Sequence, residues 1–214
     1  MRKRRVALFE QLVADLPEPV RVLDVGGSPS FWAEYRARGD RRLRITLLNN
    51  DPKLAGLPDA LALRLGDARD LGEFPDDSFD ACFSNSLIEH VGTFYDQQRV
   101  AREIRRIAPR YFVQTPNRHF VLEPHFLLPG FHYLPTAVRA ALHRRWRLGW
   151  MPAQPDPVLA RAEAEQIRLL SYDELSRLFP DARVVRETIG PATKSLIALR
   201  GPRLDAICPL GDRL

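Results

Sequence analysis

Histidine and carboxylate side chains crowd one stretch of this chain. Between Pro116 and Glu165 stand His119, Glu123, His125 and His132, set among prolines and aromatics, and His90 lies upstream. An imidazole titrates near neutral pH, so a histidine beside a bound hydroxyl can take its proton as the oxygen attacks an electrophile. Glu123 and His125 are two residues apart. In extended backbone both point the same way and can form a carboxylate–imidazole pair. The same histidines could instead pack against proline and aromatic rings, or only shape a pocket. Metal binding fits poorly, because no cysteine or acidic partner has ligand spacing.

A second constellation is Val22-Leu-Asp-Val-Gly-Gly-Ser-Pro-Ser-Phe-Trp32. It reads as a buried strand, a glycine turn and the start of a helix. Backbone N–H groups and the positive end of a helix converge at such a turn, and glycine lets a nucleotide-like ligand approach the backbone.

These residues must be positioned by regular elements. Residues 2–16 form an amphipathic helix with Val6, Leu8, Phe9, Leu12 and Val13 inward, stopped by Pro17-Glu-Pro19. Strands are expected at 20–25, 43–48, 61–65, 79–83 and 111–114, with helices at 31–38 and 97–108. Strands alternating with helices imply a parallel sheet covered on both faces. The end of the chain breaks the rhythm. Ser171-Tyr-Asp-Glu174 is a capping box that opens a helix over 172–179. Strands at 182–187 and 195–199, joined through Gly190-Pro191, suggest an antiparallel pair at the sheet edge. Residues 116–165 are too long for a plain connection and read as a lid inserted in a single domain of 1–214.

The chain has 214 residues, 45% hydrophobic and 28% charged, in the range of a soluble globular domain. No apolar run approaches the roughly 20 residues that span a bilayer. The basic start, Met1-Arg-Lys-Arg-Arg5, is followed by Glu10, Gln11 and Asp15, which spoil a signal sequence; a cytoplasmic protein is expected. Cys82 and Cys208 make neither a disulfide framework nor a metal spacing, and Cys82 sits in a core pattern. The net charge of +5 is mostly arginine and includes no block long enough for a nucleic-acid tail, so nucleic acid is not the expected partner. Residues 136–150 read as a basic helix with Val138, Leu142 and Trp146 at helical spacing. That stripe either packs on the domain or rests on an anionic membrane.

Asp24-Val-Gly26-Gly-Ser28-Pro-Ser30 resembles the first motif of class I S-adenosylmethionine-dependent methyltransferases, with serines where that motif has its second and third glycines. Ile45-Thr-Leu-Leu-Asn-Asn-Asp51 is similar to their second strand, and Gly66-Asp67-Ala68 to their adenine corner. Phe74-Pro-Asp-Asp-Ser-Phe-Asp80 with Phe83-Ser-Asn-Ser-Leu-Ile-Glu-His-Val91 closely resembles the methyltransferase-11-like branch. The resemblance runs from about Val20 to Thr115.

It implies a Rossmann-like, seven-stranded, mostly parallel sheet with an antiparallel last strand. It implies S-adenosyl-L-methionine as cofactor, held by Asp24, Gly26, Gly27, Ser28, Asn49, Asp51, Asp67, Ala68, Ser84 and Asn85. Asn49 and Asp51 compete for the ribose hydroxyls. Ser84 and Asn85 would lie beneath the sulfonium, with His90 touching the cofactor or acting as a base. In-line methyl transfer to a small or lipid-linked metabolite, on oxygen, is the expected reaction, with His125, Glu123 and His90 as candidate catalytic groups. Two other readings stand beside it. One is a non-catalytic protein that keeps the fold and binds the cofactor. The other is a dinucleotide-dependent dehydrogenase, which would need the glycines that Ser28 and Ser30 replace.

Overall fold

The computed structural model describes residues 2–32, 42–54, 61–123, 126, 128–149, 151–208 and 214. Seven strands form one sheet: β1 (Val20–Val25), β2 (Leu43–Asn49), β3 (Ala62–Leu65), β4 (Ala81–Asn85), β5 (Tyr111–Pro116) and, late in the chain, β8 (Arg183–Ile189) and β9 (Ala192–Arg200). Their order is β3-β2-β1-β4-β5-β9-β8. The first five are parallel, and β9 runs antiparallel to both β5 and β8. This is the expected sheet: the last strand, β9, is antiparallel, and it pairs with the edge strand β8 as the expected antiparallel pair at the sheet edge. The helix expected at 31–38 lies largely outside the described residues.

Both faces are packed. Helix α1 (Arg2–Leu12) buries Val6, Leu8, Phe9 and Leu12, as its pattern predicts, with Val13 just beyond it. Phe9 meets Phe83 edge-on at 5.1 Å, and Phe83 stacks on Phe112 at 5.0 Å. The helix stops at Leu12 rather than Leu16, and Val13 to Asp15 continue as a turn. Helix α2 (Phe94–Ile107) covers the other face with Val100, Ala101, Ile104 and Ile107. It starts three residues earlier than expected because Thr93 and Asp96 form a capping box. Strand β4 starts at Ala81 rather than Phe79: the Asp80 carboxylate accepts from the Arg21 amide at 2.7 Å and from its guanidinium.

The segment after β5 has a small core of its own. A two-stranded ribbon, β6 (Leu122–Glu123) and β7 (Leu128–Pro129), leads into helix α3 (Thr136–Arg145) and helix α4 (Pro157–Gln166). Phe126, Phe131 and Leu148 are buried together, with Leu142, Met151 and Ile167 against them. Helix α3 ends at Arg145 rather than Trp150, since Trp146 is extended and Leu148 bridges Met151. Helix α5 (Tyr172–Leu178) opens on the Ser171–Glu174 capping box, and a short α6 (Leu204–Ile207) follows β9.

Arg5 ties α1 to the sheet. Its guanidinium donates to Glu187 at 3.2 and 2.5 Å, to Asn85 Oδ1 at 2.9 Å and to Gln114 Oε1 at 2.9 Å, so one side chain links β4, β5 and β8. Burial alone would raise the Glu187 carboxyl pKa. Hydrogen bonds from Arg5 and Ser195, with the Arg5 charge, outweigh it and hold the group below its ordinary value. The stabilisation is therefore present above the unfolded pKa of 4.5 and is lost as pH falls through the lower folded value. Arg5→Ala, which strands a buried carboxylate, is expected to cost about 3–5 kcal/mol in urea unfolding. Arg5→Ala/Glu187→Ala should recover part of that loss; no recovery would show that Arg5 acts by packing alone.

Candidate cofactor site

A cavity of about 660 Å³ opens at the carboxyl edge of the sheet, between the ends of β1, β2 and β3 and the turn after β4. In doubly wound sheets ligands bind at that edge, where strand order reverses. Here the reversal falls between β1 and β4. Gly26, Leu48, Asn49, Asn50, Gly66, Asp67, Ala68, Leu87 and His90 are among the lining residues.

The floor is the turn after β1. Gly26 has φ +79°, and a Cβ there would lie 2.7 Å from a Leu87 methyl. Its amide donates to the Leu48 carbonyl at 2.8 Å. Gly27 lies over Asp24, where a Cβ would fall 2.1 Å from the carboxylate. The two glycines thus let the loop sit close to β4 and close to its own strand. Asp24 is 2% exposed and accepts from Trp32 Nε1 at 2.6 Å. Burial raises its pKa to about 7, against the pull of the Trp32 hydrogen bond. The carboxyl braces the loop from below and is not part of the cavity wall. Ser28 and Ser30 bond to each other at 3.1 Å at the start of the next helix, also outside the lining.

Asn49 lines the cavity and has both ends of its amide engaged. Nδ2 donates to the Gly27 carbonyl at 2.9 Å, and Oδ1 accepts from the Asp51 amide at 3.0 Å. It ties the β1 turn to the end of β2. Asp51 is exposed and does not line the cavity, whereas Asn50, expected only to cap a turn, does. Asp67 and Ala68 line the far end, after β3. The Asp67 carboxylate is half exposed and held by Arg69 at 2.6–3.0 Å. That hydrogen bond, helped by the Arg69 charge, keeps its pKa below the usual carboxylate value.

After β4 the expected contacts divide. Ser84 is 1% exposed and donates to the Val25 carbonyl at 3.1 Å, bracing β4 against β1. Asn85 turns away from the large cavity to Arg5. Leu87 and His90 face the cavity instead. His90 belongs to a 3₁₀ turn, Ile88–His90, secured from behind. Thr115 Oγ1 donates to Glu89 Oε2 at 2.9 Å, and Gln97 Nε2 donates to the Ile88 carbonyl at 2.9 Å. The Glu89 carboxylate therefore reaches β5 rather than capping a helix, and its other oxygen is 4.0 Å from His90 Nε2.

A second cavity of about 160 Å³ is lined by Arg5, Ser86, Gln114, Asn117, Phe120 and Lys194, among others. Ser86 lines the small cavity and Leu87, the next residue, lines the large one. Arg5, Lys194 and Gln166, the last from the end of α4, stood out by no motif. In sequence Arg5 is one of four consecutive basic residues, Arg2 to Arg5.

The other histidines are dispersed. His119 is exposed, and His132 lies against Tyr133 at 4.1 Å. His143 is buried and pairs with Glu163 at 2.6 Å, joining α3 to α4. None of the three lines either cavity. His125 lies outside the described residues, as does the side chain of Glu123.

The architecture and this cavity can now be set beside known proteins. A methyltransferase domain family matches residues 23–110. No curated protein sequence matches the chain significantly. The fold is shared with phosphoethanolamine N-methyltransferase 2 of Haemonchus contortus bound to S-adenosyl-L-methionine. Identity is 14% and the TM-score 0.55, over 86% of this chain and 38% of that one. It is shared with geranyl diphosphate C-methyltransferase of Streptomyces coelicolor A3(2), bound to S-adenosyl-L-homocysteine, at 14% identity and TM-score 0.55, over 93% and 79%. A Rhodobacter sphaeroides protein named as a Zn-dependent alcohol dehydrogenase has TM-score 0.59 at 13% identity, over 91% and 88%. The chain thus spans well under two thirds of the Haemonchus enzyme. At these identities the likeness is one of fold. Residues 23–110 match the methyltransferase domain family, on a sheet whose late strand β9 runs antiparallel to β5.

The residues fit that cofactor. The volume lies in the range of small-molecule sites. The cavity is lined by glycine backbone at Gly26 and Gly66, amides at Asn49 and Asn50, a carboxylate at Asp67, and apolar walls at Leu48, Ala68 and Leu87.

Two measurements check this geometry. Because Arg69 already occupies much of the Asp67 carboxylate, Asp67→Ala is expected to weaken S-adenosylhomocysteine binding by only about 1 kcal/mol, near fivefold, in calorimetry. Unchanged affinity would move the adenine corner elsewhere. The Asp24 carboxyl has a folded pKa near 7 against 3.8 unfolded, so the fold suppresses its ionisation. Its contribution is most favourable below the unfolded value and declines as pH rises toward 7, by roughly 4 kcal/mol. Asp24→Asn, which keeps an acceptor for Trp32, should lose less stability than wild type over that window. Parallel pH profiles would mean that Asp24 is ionised in the fold.

Proposed function

We propose that this protein is an S-adenosylmethionine-dependent methyltransferase acting on oxygen in a small or lipid-linked metabolite. The observation that carries the reading is a pair of cavities lined by consecutive residues, Ser86 in the small one and Leu87 in the large one. The large one suits the cofactor in volume, and the small one would take the acceptor. S-adenosylmethionine supplies an activated methyl group and a neutral thioether leaving group. The chain's task is to align two ligands and exclude water. Gly26 sets the floor with Leu87 packed against it, and Asn49 and Asp67 mark the nucleoside end. The polar walls of the small cavity, Arg5, Gln114, Asn117 and Lys194, favour a polar acceptor group, and Phe120 adds an apolar side. The Haemonchus and Streptomyces enzymes are named for phosphoethanolamine and geranyl diphosphate, both small molecules.

A hydroxyl acceptor must lose a proton. His90 is the described histidine at the cavity wall, with the Glu89 carboxylate 4.0 Å from its Nε2. Glu123 and His125 are the further proposed base pair. The test is transfer of label from methyl-tritiated S-adenosylmethionine into fractionated small-molecule and lipid extracts. We expect label in an ether or ester product. His90→Ala or His125→Ala should lower turnover while leaving S-adenosylhomocysteine affinity within about twofold of wild type. Label on nitrogen or carbon would overturn the oxygen assignment. Cofactor binding without transfer to any fraction would leave a binding protein in place of an enzyme.

A further inference from the structure

The segment between β5 and α5 carries an exposed apolar surface that its own small core does not use. Val121 is 66% exposed, Tyr133 60%, Trp146 55% and Val138 43%, with Leu122 and Leu134 near 37% each. Val121, Leu122, Tyr133 and Leu134 belong to the ribbon and the turn after it, and Val138 and Trp146 lie along and just beyond α3. The Gly130 amide donates to the Val121 carbonyl at 2.7 Å, and the Tyr133 hydroxyl donates to the Arg118 carbonyl at 3.2 Å. Leu134 then leads directly into α3. That helix turns Ala140 and His143 inward and leaves Val138 and Ala141 facing out. The stripe of Val138, Leu142 and Trp146 is therefore split. Leu142 packs on the segment's core, and Val138 and Trp146 do not.

Positive charge borders this surface. Arg144, Arg145 and Arg147 are exposed around Trp146. Arg144 donates to the Pro155 carbonyl, and among the described residues no carboxylate pairs with Arg145 or Arg147. The acids of the adjoining helix are engaged. Asp156 caps α4, Glu163 holds His143, and Glu165 pairs with Arg161. The bland account is that a basic last turn complements the dipole of α3. It leaves Arg147, beyond the helix, and the exposed Trp146, Tyr133 and Val121 unexplained.

We propose that this surface docks the protein on an anionic lipid bilayer. Tryptophan and tyrosine favour the interface, short apolar side chains enter below the headgroups, and arginines meet the lipid phosphates. The surface belongs to the segment whose last helix ends at Gln166 on the cofactor cavity, so docking would bring that cavity close to the bilayer. The proposal does not depend on the acceptor assignment, and its test needs no turnover.

The full chain would be sedimented with vesicles of phosphatidylcholine alone and with about a third of phosphatidylglycerol. We expect at least roughly tenfold tighter binding to the anionic vesicles, weakening as salt rises. Arg144→Glu/Arg145→Glu/Arg147→Glu should abolish the difference, and Trp146→Ala should weaken binding and remove most of the blue shift in tryptophan emission. Retained S-adenosylhomocysteine binding would show that the variants are folded. Folded wild-type protein that ignores anionic vesicles, or binds neutral ones as well, overturns the proposal. So does a stable dimer in light scattering that Val138→Asp dissociates, which would give the face to a second copy of the chain.

Discussion

The contact on which the site depends is that between two glycines and what lies against them. Gly26 and Gly27 have no side chains where Leu87 and the Asp24 carboxyl already stand. The turn after β1 can therefore pack against the turn after β4 and against its own strand. The rest of the floor follows from that height. The Trp32 indole reaches the Asp24 carboxyl, and the Asn49 amide reaches the Gly27 carbonyl. A side chain at either glycine would lift the loop and uncouple β1, β2 and β4 at the place where the cavity opens. The protonatable acid beneath is the cost of this arrangement, since a buried carboxyl with one donor resists ionisation.

The far wall is organised by a different device. Glu89 is fully buried, with one carboxylate oxygen taken by Thr115 and its backbone carbonyl by the Arg168 amide at 2.8 Å. Arg168 in turn donates to Gln97 at 2.7 Å and to Glu174 at 2.7 Å. The 3₁₀ turn that carries His90 is thus fixed to β5, to α2 and to the start of α5 at once. Such a network is worth having only when it is complete, because each unpaired member would be a desolvated polar group. It makes His90 the end of a rigid assembly rather than a loop residue.

Much of this was legible in the sequence, for reasons that differ by element. Alternating buried strands, the glycine turn and the Ser171–Glu174 capping box announce themselves through period and local hydrogen-bond chemistry, and the sheet follows from connection rules. The residues that line the cavity were only partly legible. Gly26, Asp67 and His90 lie where short motifs put them. Asp24, Ser84 and Asn85 share those motifs, yet their side chains are spent on Trp32, Val25 and Arg5. A motif reports that a residue is near a ligand; it does not report which way the side chain turns. Arg5 could not be read at all. Its partners are 80 to 190 residues away in the chain, and nothing local distinguishes it from Arg4.

The same limit explains the segment after β5. Its histidines look alike in sequence, and their fates separate only on folding: His119 is exposed, His132 lies on a tyrosine, and His143 cross-links two helices. The apolar stripe of α3 behaves the same way. Helical spacing places Val138, Leu142 and Trp146 on one side, but the helix ends at Arg145, so Trp146 leaves the stripe. The termination converts a buried face into an exposed aromatic ringed by arginines. A surface of that kind arises from where a helix stops, and a periodic pattern does not record its own end unless a cap residue marks it. Here none does: the chain simply becomes extended at Trp146, and the bridge between Leu148 and Met151 holds it there.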